Sequence, residues 1–128
     1  MKYYIEKVTD YSFEEAVEKV TEELKKQGFG VLSEINIHEK LKEKLDVDFP
    51  KYRILGACNP PYAYKALQEE NKIGTMLPCN VVVRQVSETQ TEVAAVDPVA
   101  SMQAVENEQL IEVANEIKSK LEKAIHSL

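Results

Sequence analysis

The chain has 128 residues, 44% of them hydrophobic and 30% charged, a balance that suits one globular domain over 1-128. A chain of this size buries about two thirds of its unfolded surface without disulfide or metal staples, and its apolar content excludes disorder. Sixteen basic residues face 22 acidic ones, a net charge of −6, so the attraction to phosphate backbones on which nucleic-acid binding rests is not expected. The densest lysine run, Lys40, Lys42 and Lys44, sits among Glu39, Glu43 and Asp46 and reads as a solvated face. No apolar run approaches the roughly 18 residues of a membrane span. The start, Met1 to Glu6, lacks the apolar stretch of a signal peptide, and two cysteines without such a signal point to a reducing cytoplasm.

Tyr3 to Val8 alternates Tyr3, Ile5 and Lys7 against Tyr4, Glu6 and Val8, the pattern of a first strand. Ser12 and Glu15 have capping-box spacing, after which Phe13, Ala16, Val17, Val20 and Leu24 recur at helical period and Gly28 supplies a left-handed stop. Phe29 to Ile35 reads as a second strand. A short amphipathic helix, Ile37 to Leu45, follows with Ile37, Leu41 and Leu45 on one face. Tyr52 to Cys58 is a strand of nearly continuous apolar character, which places it inside the sheet. Asn59-Pro60-Pro61 opens a third helix with Ala63, Ala66 and Leu67, Asn59 as its cap. An extended return from Lys72 to Pro78 leads to strands Cys79 to Val86 and Thr91 to Val96, a hairpin turning at Ser87 to Gln90. The last helix carries Leu110, Ile111, Val113, Ala114, Ile117, Leu121 and Ile125 as a stripe able to cover one face of an antiparallel sheet. The class is α+β in two layers, in the order β-α-β-(short α)-β-α-β-β-α.

Phosphate-cradling glycine loops, His-Glu-x-x-His, Cys-x-x-Cys and a serine elbow are all absent from the sequence. What remains is a constellation on two segments, Gly56-Ala57-Cys58-Asn59-Pro60 and Leu77-Pro78-Cys79-Asn80. A parallel crossover would leave Cys58 and Cys79 about 20 Å apart, a strand length. An antiparallel arrangement makes them neighbours at one end of the sheet, and the seven-residue return favours it. Cys58 stands before a helix N-terminus, whose dipole favours a thiolate. Pro60 and Pro61 lack N–H groups, so a phosphate site there is poor.

The sequence resembles the domain of unknown function 302 family. The likeness is carried by Gly28 to Ile35, by Cys58-Asn59-Pro60 with Ala66-Leu67, by Leu77-Pro78-Cys79-Asn80-Val81 and by Asp97-Pro98. The resemblance implies a fold akin to that of the TATA-binding protein, with an antiparallel sheet and hence the close-cysteine geometry. It also implies a homodimer, brings no activity with it and implies no DNA binding.

Three functions follow. The first is a domain binding a metal or small molecule where Cys58 and Cys79 converge, with Glu34, Asn59, Asn80 and Tyr62 as ligand contacts. A divalent metal such as zinc would take Cys58, Cys79, Glu34 and His38, with Asp97 as a further candidate. The second is a thiol enzyme with Cys58 as nucleophile and Cys79 resolving. The third is a structural or interaction domain with both cysteines in the core. Glu34 turned inward would be a general acid or base with a raised pKa; outward it is a surface residue. Asp97 reads as a strand terminator and His126 as a solvated residue at a helix C-terminus. One of Tyr62 and Tyr64 is expected to face the cleft, while Tyr3, Tyr4, Phe13 and Phe29 are expected in the core.

Overall fold

A computed structural model describes residues 2–128. Its elements run β1 (Tyr4–Thr9), α1 (Phe13–Lys26), β2 (Gly30–Asn36), α2 (Ile37–Leu45), β3 (Tyr52–Cys58), α3 (Pro60–Glu69), a 3-10 turn (Ile73–Met76), β4 (Cys79–Gln85), β5 (Thr91–Val96), α4 (Pro98–Ser101) and α5 (Glu108–His126). The return to β4 is thus a 3-10 turn within the stretch expected to be extended. The five strands form one sheet in the order β1-β5-β4-β3-β2, every neighbouring pair antiparallel. Two layers of α+β character follow, as the sequence pattern predicts.

Helix α1 is built as its sequence reads. The Ser12 hydroxyl accepts from the Glu15 N–H while the Glu15 carboxylate accepts from the Ser12 N–H. At the far end Gly28 takes φ +88°. The Phe29 N–H then reaches the Leu24 carbonyl and the Gly28 N–H that of Lys25, both at 3.0 Å. This Schellman closure brings Phe29 and Leu24, both buried, to the same end of the core.

Helices α1 and α5 pack on one sheet face, into which Leu55, Ala57, Val81, Val83, Val93 and Ala95 are fully buried. Helix α5 buries Leu110, Val113, Ala114, Ile117, Leu121, Ala124 and Ile125. Ile111, expected in that stripe, is 57% exposed, while Ala124, not expected in it, is buried. Two buried threonines knit β1 to β5: Thr9 donates to the Thr91 carbonyl at 2.8 Å, and Thr91 donates to the Tyr11 carbonyl at 2.9 Å. Helix α2 has the expected bounds, but its apolar stripe is only partly covered: Ile37 and Leu41 are half-buried, Leu45 is exposed and none of its residues is fully buried. Phe13 and Phe29 are in the core; Tyr3 is 70% exposed and Tyr4 half-buried, because both precede or face the side of β1 away from the helices.

Candidate functional site

The antiparallel geometry brings the end of β3 and the start of β4 to one rim, with Ala57 opposite Cys79. Cys58 lies one residue further on. That single step keeps Cys58 from standing directly opposite Cys79 in the ladder. Both thiols are free, Cys79 buried and Cys58 half-buried. They border a cavity of about 10 Å³ whose walls include Phe29, Ala66, Met102 and Ile117. That volume holds one water at most. Burial in this hydrocarbon pushes the Cys79 thiol up to about 11, with Cys58 as a secondary cause.

Glu34 is exposed on β2, opposite Leu55. Cys58 faces Gly30 on the same strand, four residues and about 13 Å away along it. His38 is at the other end of β2, where its Nδ1 pairs with the Tyr52 backbone at 3.0 and 3.1 Å. The four residues expected to share a metal are therefore not gathered. Among the described residues no group of three or more His, Cys, Asp or Glu side chains is placed to hold one. Asn59 does not cap α3 with its side chain: its Nδ2 donates 3.0 Å to the Gln27 carbonyl at the end of α1, a tertiary contact that outcompetes the local one. Tyr62 does border the cavity, and Tyr64 is 66% exposed. The Tyr62 phenol bonds Glu116, which raises its pKa. Asp97 caps α4 by accepting from Val99 and Ala100, and pairs with Lys118 at 3.1 Å. Asn80 belongs to the opposite sheet face.

The cysteine rim makes a direct prediction. Cys58 should alkylate in the folded protein, while Cys79 should react only on unfolding. A folded thiol raised to about 11 stays protonated where the unfolded one ionises, so its contribution to stability is whole below about pH 9 and lost as the pH rises towards 11. The difference in unfolding free energy between the wild type and Cys79→Ala should shrink by about 2–3 kcal/mol over that window. A gap that stays constant with pH would show that Cys79 is not desolvated.

The other sheet face offers a larger surface. Register places Tyr4, Glu6 and Val8 of β1, Glu92, Ala94 and Val96 of β5, Asn80, Val82 and Arg84 of β4, Tyr52, Ile54 and Gly56 of β3, and Ser33 and Ile35 of β2 on it. Among the described residues no helix covers it. A groove of about 390 Å³ runs across its middle, walled by Tyr4, Tyr52, Val82, Arg84 and Val96. Phe49, 47% exposed, meets Tyr52 edge-on at 6.1 Å and continues the apolar surface. Arg84 Nε lies 2.7 Å from Glu92 Oε1; this bond, with Tyr52 and Glu6 nearby, raises the guanidinium pKa and holds it charged. The signal that places β3 inside the sheet recurs in its neighbours: β3, β4 and β5 each hold uninterrupted apolar runs, Ile54 to Ala57, Val81 to Val83 and Val93 to Val96. Such runs mark strands buried on both sides.

The fold and these two surfaces define a small two-layer α+β domain with one bare sheet face. The chain matches the family described as Domain of unknown function DUF302 over residues 5–128, and it belongs to that family. It is similar to an uncharacterized conserved DUF302 protein from Bacillus stearothermophilus seen in a crystal structure, at 31% identity and a TM-score of 0.90, with 98% of each chain covered. No curated protein matches the chain. No helix of the described residues is long and apolar enough to cross a membrane.

Proposed function

We propose that this DUF302 domain works as an interaction domain whose working surface is the helix-free face of its sheet. The observation that carries this reading is the mismatch between pattern and cover. Three central strands have the apolar runs of doubly buried strands, yet the chain covers only one of their sides. Ile54, Val82, Ala94 and Val96 form a contiguous half-exposed apolar patch on the other, and contiguous patches of this kind mark interaction sites more often than isolated surface apolar residues do. The alternative readings draw less support. A ligand at the cysteine rim would have to enter about 10 Å³, and a resolving role for Cys79 needs a thiolate where burial favours the neutral thiol.

The test is site-specific photo-cross-linking in the producing cells. Benzoylphenylalanine at position 82, on the bare face, should yield protein adducts several-fold more abundantly than at Glu112, which is exposed on α5. Equal yields from the two positions, or none from position 82, would remove the interaction reading.

A further inference from the structure

We infer that the groove on the bare sheet face takes an amphipathic helix of another protein, one with basic flanks, lying along the strands with its C-terminal end at Arg84. The inference rests on the interaction reading above and names its partner. Its first support is shape. The groove spans four strands: Tyr4 and Glu6 rise on β1, Tyr52 rises on β3, and Ala94, Val96 and Val82 form a floor of smaller side chains on β5 and β4. Three strand spacings separate β1 from β3, about 14 Å, and a helix with its side chains is about 10–12 Å across. Strands of six or seven residues give the groove a length of about 20 Å, which matches about 13 residues of helix. In three-layer domains, strands apolar on both sides are covered by helices on each side. Here α1 and α5 supply one of those layers.

Charge is the second support. The chain is at −6, a field that draws in a cationic partner. On this face Glu92 is taken by Arg84. Glu6, exposed on the β1 wall, has no ion-pair partner among the described residues. A lysine or arginine on the flank of the docked helix pairs with it, and an acidic flank is repelled. Arg84 sets the direction. It stands opposite Glu92 at the hairpin end of the groove, and its one hydrogen bond runs from Nε to Glu92 at 2.7 Å. Its two Nη groups have no bond among the described residues and are available to the last carbonyls of a helix, where the macrodipole is negative.

Fluorescence anisotropy with three synthetic peptides of about 14 residues decides the matter. The first is an acetylated helix of leucine and lysine with the leucines on one face. The second has glutamate for lysine, and the third keeps the first composition in an order without the apolar stripe. The first should bind the wild type with a dissociation constant of about 10–50 μM, at least about tenfold more tightly than the other two. Ala94→Gln raises the floor of the groove and should weaken that binding about tenfold, whereas Ile111→Gln and Leu67→Gln, at apolar residues exposed elsewhere, should leave it unchanged. Glu6→Lys should weaken it about fivefold and narrow the preference over the glutamate peptide. A free C-terminal carboxylate on the first peptide should improve binding about threefold over the amide, and Arg84→Gln should abolish that difference. A first peptide that binds no better than the third, or an affinity that a folded Ala94→Gln leaves untouched or that Ile111→Gln lowers as much, overturns the proposal. If Ala94→Gln fails to fold, Glu6→Lys on the rim carries the same decision. Weak peptide binding with position 82 still cross-linking strongly in cells overturns the helix while leaving the interaction reading standing. Cross-links from position 82 that fall on this chain's own peptides overturn the helix in favour of a second copy.

Discussion

Leu121→Ala should lower the unfolding free energy by about 3–4 kcal/mol, a transfer loss plus a cavity that the surroundings fill only in part. Leu121 is fully buried on α5, the helix seated on the sheet and against α1 and α3. For a domain of this length the loss corresponds to a melting temperature lower by about 10 °C or more. Ile111→Ala, on the same helix at a site 57% exposed, should change stability by less than about 0.5 kcal/mol. Urea titration of the three proteins separates the outcomes. If Leu121→Ala costs no more than Ile111→Ala, α5 does not present the face described here.

Gly56→Ala should destabilise by about 2 kcal/mol, the usual scale for forcing atoms into filled space. A Cβ at this position would stand 2.4 Å from the Ser33 hydroxyl and 2.8 Å from Pro78 Cγ. Ser33 is the β2 residue opposite Gly56, and β3 runs between β2 and β4, so relief by moving the strand would break two ladders. Ser33→Ala removes the nearer obstacle. The double variant should therefore recover about 1 kcal/mol relative to the sum of the single effects. Strict additivity in that cycle would mean that Ser33 and Gly56 do not meet as described.

Local chemistry was the most legible part of this protein. The Ser12 and Glu15 reciprocal cap and the Gly28 stop of α1 form with the partners that residue spacing implies, because capping depends on atoms within one turn. The same logic failed at Asn59. Its amide had a local use as a cap and a distant one at the Gln27 carbonyl, 32 positions away, and only the approach of the end of α1 to the start of α3 made the second available. Ile111 shows the corresponding limit for periodicity. Its neighbours Leu110, Val113 and Ala114 already fill the inward arc, so an apolar residue one step outside that arc stays in solvent.

For the candidate site, the rim shared by the two cysteines was readable from the chain lengths between them. Their mutual orientation was not, since it depends on which residue of β3 faces Cys79. That residue is Ala57, one position short of Cys58. Glu34 and His38 were separated from the thiols by the same strand register, which spreads β2 along the sheet edge.

By itself, then, the order of residues determined the two-layer α+β class, the bounds of the main helices and the inward faces of α1 and α5, because these follow from period, capping and burial within short segments. Tertiary structure alone decided that β1 joins β5 rather than β2, that the helices take one side of a sheet apolar on both, and that the unclaimed side carries Tyr4, Tyr52, Val82 and Arg84. Strand pairing and face choice are relations between segments tens of residues apart, and hydrogen-bond register, which no single segment encodes, sets them.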